Sequence, residues 1–277
     1  MQRAFFLSVS LVCCGLSGTA SLRGEDPKPE ADPHFEYLLK RLEALTVRLD
    51  DREAALQRKP LFRWQNPVSG ADGAVFVWTL QDRPVALAKT HLNDQKTHYV
   101  ETMVAVTPKP FHVEKDSQGY WSPPGSGVKP AVVKDVDPPA EAVGVRLTQM
   151  RAIARNYRFT SFWGEENRSE WELRLLSTPL HRYRNPAAGV IDGAIFGFAQ
   201  GTNPEAIVVI EAIETLTGKH WEAVPQRLSG YAIKAWREDE LVLDVPYLQR
   251  TPNNLSFFHL YERPMPYPFP KAEAKSP

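Results

Sequence analysis

Cysteine is nearly absent from this chain. Its 277 residues include two, Cys13 and Cys14, both within the first 14 positions. If that stretch is a cleaved leader, the remaining protein has no disulfide, no thiol nucleophile and no cysteine-ligated zinc. A surplus of one charge is also missing. The chain has 33 basic and 33 acidic residues, and losing Arg3 with a leader leaves 32 against 33, a net −1. No basic stripe or polybasic run breaks this balance, which argues against nucleic acid and against anionic lipid as partners. Long apolar runs are absent as well. The longest, Ala4 to Leu16, has 13 residues, too few to cross a ~30 Å hydrocarbon core as a helix. Metal-protease, nucleophile-elbow, phosphate-loop and dinucleotide motifs are all lacking, so no cofactor is implied.

The N-terminus matches an export signal. Arg3 supplies the positive end, Ala4 to Leu16 the apolar stretch, and Gly18-Thr19-Ala20 small residues for cleavage. We expect residues 1–20 to be a signal peptide, 21–31 a charged, Pro-containing tether, and the mature protein to be periplasmic or extracellular. Without a disulfide it must be held by its core, and a chain of this size is long enough for one.

A repeat is the most informative feature present. LFRWQNPVSGADGAVFVW at residue 61 returns as LHRYRNPAAGVIDGAIFGF at residue 180. Leu61, Arg63, Asn66, Pro67 and Gly70 match Leu180, Arg182, Asn185, Pro186 and Gly189 at a spacing of 119. After one inserted residue, Asp72, Gly73, Ala74, Phe76, Pro84 and Ala86 match Asp192, Gly193, Ala194, Phe196, Pro204 and Ala206 at 120. That is 11 identities over residues 61–88, against about two expected from average composition. The spacing predicts a duplicated unit.

Organisation follows from the repeat. Asp32-Pro33 starts a helix expected to run to about Lys59, with Leu38, Leu42, Leu45, Leu49 and Leu56 along one seam. Such a 33–58 helix would lie on its own sheet or serve dimerisation. A second helix is expected over 141–157, carrying Val143, Leu147, Met150, Ala154 and Tyr157 on one face. Strands with short turns follow each helix, and a hairpin between 158 and 176 looks like an insertion in the second copy. Ala206 to Ile210 is apolar throughout, as in a strand covered on both faces. The domains read as 32–124 (helix and first β repeat), 125–140 (Pro/Gly linker), 141–246 (helix and second β repeat) and 247–277 (extension and Pro-rich tail). The fold class is α+β: two pseudo-repeated halves, each a helix followed by an antiparallel β-meander, forming one curved sheet or two packed sheets.

The repeated polar residues have a turn-making reading and a ligand-binding one. Asn66-Pro67 and Asn185-Pro186 set a non-helical backbone, Gly70 and Gly189 supply positive φ, and Asp72-Gly73 and Asp192-Gly193 are expected to form a second tight turn. Arg63 and Arg182 are placed to pair with the nearby Asp. The alternative is an oxygen-rich site for calcium or a sugar, but one Asp and one Asn per copy are sparse for metal. His98 and His220 fall at similar places, and His220 with Glu222 shares a strand face, the geometry of a general base or ligand pair. These nine residues are the candidates for a site. Trp64, Trp121 and the tail aromatics are candidates for an exposed binding patch.

In RLTQMRAIAR, WELRLLSTPLHRY and DGAIFGFAQGTNPEAIVVIEA the chain resembles a group of secreted proteins of planctomycete bacteria, over roughly residues 61–246. The resemblance implies an exported envelope protein and no particular activity. Three functions fit this reading. The first is a non-catalytic binding or structural module with an envelope protein as partner. The second is a carrier of an apolar ligand or lipid between helix and curved sheet, in outline similar to the periplasmic lipoprotein carriers. The third is an extracytoplasmic hydrolase using carboxylates brought together in space.

Overall fold

The first helix ends early, and the reason is local. In a computed structural model, which describes residues 32–66, 70–93, 98–163, 169–248 and 251–262, α1 spans Pro33–Glu43 and gives way to a β-hairpin. The leader, the tether and the tail from Pro264 lie outside the described residues. After Ala44 the chain reads Leu-Thr-Val-Arg-Leu, with two β-branched residues at its centre. Leu45, Val47 and Leu49 are buried while Arg48 is exposed, the alternation of a strand. Asp50 and Asp51 then take φ of 49° and 59°, the doubly left-handed two-residue turn that suits a hairpin. Leu45 and Leu49 are four apart, and four fits a strand period of two as well as a helical turn. The long 33–58 helix is therefore an 11-residue helix followed by β1 (Leu45–Leu49) and β2 (Arg52–Leu56). The dimerisation seam read along it does not exist as a helix face, and Leu38, Leu39 and Leu42 are buried within the chain itself.

The fold is α+β, mostly antiparallel strands with two helices. β3 (Phe62–Gln65), β4 (Asp72–Leu80), β5 (Arg83–Leu92), β6 (Tyr99–Ala105), β7 (His112–Lys115) and β8 (Gln118–Trp121) continue the first sheet. β9 (Ala131–Val132) and α2 (Val143–Arg155) follow. Then come β10 (Tyr157–Trp163), β11 (Ser169–Leu175), β12 (His181–Asn185), β13 (Val190–Gln200), β14 (Asn203–Thr215), β15 (Gly218–Arg227), β16 (Ala232–Arg237) and β17 (Glu240–Val245). β18 (Phe257–Glu262) comes last. Sheet one runs β18-β6-β5-β4-β2-β1-β7-β8 with β3 on β4; sheet two runs β17-β16-β10-β11-β13-β14-β15-β9 with β12 on β13. Neither is a plain meander, because β1 pairs with β7 and β10 with β16. A β1–β2 hairpin follows α1, as the β10–β11 hairpin follows α2. The outer strand of each sheet is supplied from a distance: β9, in the linker, pairs with β15, and β18, near the C-terminus, pairs with β6. Sheet one also curls, because Ser122 beside β8 donates its N–H to the Asn253 carbonyl just before β18 at 2.7 Å.

Alternation along the central strands produces the layers. In β4, Ala74, Phe76 and Trp78 face Leu39 and Leu42 of α1, while Val75 and Val77 face the second sheet. In β14, Ala206, Val208 and Ile210 face Met150, Ile153 and Ala154 of α2, while Ile207 and Val209 meet Val75, Val77 and Leu87. The order is helix, sheet, sheet, helix, and the apolar stretch 206–210 is covered on both faces. Trp121 and Trp64, proposed for an exposed patch, are buried at 0% and 6% exposure.

The repeated Asp-Gly pairs are not turns. They lie inside β4 and β13, and neither glycine has a positive φ. The glycines are there for space. A Cβ on Gly73 would stand 2.6 Å from the Thr90 carbonyl oxygen and 2.7 Å from the Trp64 ring, and one on Gly193 would stand 2.7 Å from the Tyr183 ring. Gly73→Ala is expected to cost about 1–3 kcal/mol through overpacking, read as a lower urea midpoint at unchanged slope.

Candidate functional site

The nine residues named from the sequence do not gather into one site, though Arg182 pairs with Asp192 and His220 with Glu222. Asp192 is fully buried and accepts from Arg146 Nε at 2.9 Å and from Arg182 Nε and Nη2 at 2.9 and 2.7 Å. The bond to Asp192 raises the Arg182 pKa. Because Arg146 also donates to the Ala140 and Glu141 carbonyls, this cluster pins the start of α2 onto β12 and β13. Asp72 instead meets His34 of α1 at 3.3 Å, and Arg63 lies 4.9 Å over the Phe35 ring. Asn185 Oδ1 accepts the Ala188 N–H at 3.1 Å, and its amide donates to the Gln81 carbonyl at 3.2 Å. The Asn66 carbonyl accepts the Gly70 N–H at 2.8 Å. Gly70 and Gly189 have φ of 74° and 75°. His98 stacks on Tyr261 at 4.4 Å, and His220 Nε2 lies 3.2 Å from Glu222 Oε1 on β15. These contacts are local to turns, strand starts and helix starts. Among the described residues, no group of three or more His, Cys, Asp or Glu is arranged to hold a metal ion.

A different constellation forms where the sheets face each other. Leu87 of β5 points between the sheets, and the same alternation turns Lys89 and His91 that way. Ile207 and Val209 of β14 do likewise, which carries Glu205 and Glu211 to the two ends of the interface. One end is closed. Arg83 grips the Glu211 carboxylate through Nη2 at 2.8 Å and Nε at 3.2 Å, and the Tyr183 hydroxyl donates to it at 2.8 Å. Every polar partner there comes from the chain.

The other end is a cleft of about 290 Å³ whose lining includes Lys89, His91, Thr102, Asn203, Ser229, Tyr231, Tyr247 and His259. Lys89, 2% exposed, donates to Asn203 Oδ1 at 3.2 Å and to the Pro204 carbonyl at 2.9 Å. His259 Nδ1 lies 3.0 Å from Thr102 Oγ1, fixed by the β18–β6 register that sets these two residues opposite each other. Arg227 lies 4.7 Å over the Phe257 ring and donates to the Tyr231 and Pro246 carbonyls. Two buried polar atoms of its lining, His91 Nδ1 and Ser229 Oγ, have no hydrogen-bond partner. Such atoms are scarce in folded proteins, and each calls for a partner or a reason.

Burial dominates the electrostatics of this end. It lowers the Lys89 pKa to about 8 against the opposing pull of Glu205. It lowers His91 to about 3, helped by Lys89 and His259, and His259 to about 4, helped by Lys89 and Arg227. Arg227 falls to about 10, while Glu205 is raised by burial against Lys89 and Ser161. Near neutrality both imidazoles are therefore uncharged. A histidine whose folded pKa is depressed binds fewer protons than its unfolded form between the two values, so stability is lost as pH falls through that window. Between pH 6.5 and about 4 the protein should therefore lose on the order of 3 kcal/mol through His259. His259→Gln should flatten that part of a urea-stability profile.

Sequence reasoning passed over Lys89, Glu205, Arg227, Ser229, Tyr231 and His259. The available signal was slight: Lys89 is the single charge in PVALAKT, and Glu205 opens the apolar run it borders. Among the described residues no helix is long and apolar enough to cross a membrane. Comparison with family models, with curated proteins and with solved structures returned no match.

Proposed function

We propose that this chain is an exported, non-catalytic binding protein of a bacterial envelope that takes a small polar ligand in the cleft between its two sheets. The observation that carries the reading is a cleft whose wall holds the buried Lys89 and two unpartnered buried polar atoms, His91 Nδ1 and Ser229 Oγ. At the neighbouring end of the interface Arg83, Tyr183 and Glu211 satisfy one another.

On this reading the chain arose by doubling one unit. The strand orders of the two sheets correspond element for element, from β1 with β10 to β8 with β17, and the sequence matches at 119 and 120 fall on β3–β5 and β12–β14. The doubling places two like sheets face to face and so makes an interface at which different residues occupy corresponding ends. The resemblance to secreted planctomycete proteins and the leader at 1–20 agree with export.

The alternatives draw less support. A lipid carrier needs room between helix and sheet, and Leu39, Leu42, Phe76 and Trp78 occupy that space at 4% exposure or less. A carboxylate hydrolase needs two acidic groups in one cleft, and among the described residues no Asp or Glu lines this one. Native mass spectrometry of the protein isolated from its source envelope tests the proposal. A bound polar species of a few hundred daltons is the expected result; a co-purifying lipid, or a bare chain bound stably to another envelope protein, would overturn it.

A further inference from the structure

We infer that the cleft binds a small oxyanion, a carboxylate or phosphate group seated on Lys89 and Ser229. This inference deepens the binding proposal and rests on it.

The two ends of the interface supply the argument. At the closed end, a cation from β5, Arg83, and a phenol, Tyr183, both donate to the Glu211 carboxylate. Spacing by 120 sets Glu211 opposite His91, so the open end has an imidazole where the closed end has its carboxylate. By the same spacings Asn203 stands where the closed end has Arg83 and Trp64 where it has Tyr183, so the open end draws its donors from other positions. Lys89 carries three ammonium protons, of which two are directed at Asn203 and Pro204. Ser229, 4% exposed and lining the cleft, has a hydroxyl without a partner. His91 Nδ1 is likewise unpartnered. Lys89 is the charged side chain that lines the cleft; Glu205, outside the lining, attracts it, and burial keeps the His91 and His259 imidazoles uncharged near pH 7. An oxyanion supplies an acceptor for the remaining Lys89 proton and for the Ser229 hydroxyl, and sets a negative charge beside the Lys89 ammonium.

Size narrows the class further. A volume of about 290 Å³ is at the lower edge of small-molecule sites. It suits a hydroxy acid, a sugar acid or a phosphate ester of similar bulk, not a polymer or a lipid chain.

The test is thermal unfolding of the full mature chain titrated with inorganic phosphate, acetate, glucuronate and glucose, with sodium chloride at matched ionic strength as control. Wild type should show a saturable rise in Tm with at least one oxyanion beyond the chloride control. Lys89→Gln and Ser229→Ala should each weaken that binding, Lys89→Gln by about tenfold or more, as expected for a lost charge-assisted hydrogen bond. His220→Gln, outside the cleft, should leave it unchanged. Phosphate acting without acetate or glucuronate, or the reverse, identifies which oxyanion the site takes. Saturable stabilisation by glucose alone would overturn the oxyanion inference while sparing the binding proposal. No saturable effect from any probe, or equal affinity in wild type and both cleft variants, would overturn the inference.

Discussion

Asp192→Ala is expected to destabilise the protein by about 3–5 kcal/mol. Asp192 is wholly buried and the Arg146 side chain is 5% exposed, so truncating the carboxylate leaves a guanidinium in the core with only the Ala140 and Glu141 carbonyls as partners. An uncompensated buried charge is among the most damaging changes a core can suffer, and whole-domain stability is only about 5–15 kcal/mol. For a domain of this size the loss corresponds to a Tm lower by roughly 6–20 °C. The paired change Arg146→Met with Asp192→Leu removes both charges and should recover most of the loss. Asp72→Ala should cost within about 1 kcal/mol, because Asp72 and its partner His34 keep side-chain exposures of 18% and 17%. Urea unfolding of the four proteins decides the matter. If Asp192→Ala lies within 1 kcal/mol of wild type, the buried cluster is not what fixes α2 to its sheet.

The second large effect concerns β18. A chain ending at Leu248 lacks a strand paired with β6 over six residues, from Phe257↔Val104 to Glu262↔Tyr99. It also lacks Phe257 and Phe258, buried at 6% and 7% exposure, and the Leu255 carbonyl that accepts Trp121 Nε1–H at 2.7 Å. Removing one buried Phe side chain typically costs about 3–5 kcal/mol, so losing two along with a strand approaches the whole stability of the fold. The truncated chain is expected to be unfolded at 25 °C by far-ultraviolet circular dichroism, and a peptide of residues 251–262 added in trans should restore structure by strand addition. A truncated chain that melts within a few degrees of full length would show that sheet one does not depend on its distant outer strand.

The strands were the most legible part of the fold. Alternation and short turns announce antiparallel strands after each helix, and the wholly apolar run 206–210 lies within β14 and is covered on both faces. The first hairpin was hidden for two reasons. Its leucines are four apart, a spacing that serves helix and strand alike, and its turn is Asp50-Asp51, which carries no glycine to announce a left-handed pair. Gly73 and Gly193 were misread in the opposite sense: a glycine suggests a turn, while here it makes room for the Trp64 and Tyr183 rings. The pairing of Arg182 with Asp192 was readable from adjacency on neighbouring strands. The cleft was not. Lys89, Glu205, Ser229 and His259 come from β5, β14, the segment after β15, and β18, and only the facing of two sheets and the late return of β18 bring them together. Periodicity along one chain has no term for that convergence.

The account holds that the charges buried in the cleft are kept for a ligand and not for the fold. Lys89 and Glu205 are buried charges of opposite sign with no hydrogen bond between them; even well-formed buried ion pairs can often be replaced by apolar side chains of similar bulk with no loss or a gain of about 1–4 kcal/mol, and sites shaped for binding commonly cost stability. The most direct measurement is the urea stability of the double variant Lys89→Met with Glu205→Leu. The account predicts a protein at least as stable as wild type that has lost its oxyanion response. A double variant several kcal/mol less stable than wild type would mean that Lys89 and Glu205 hold the two sheets together, and would contradict it.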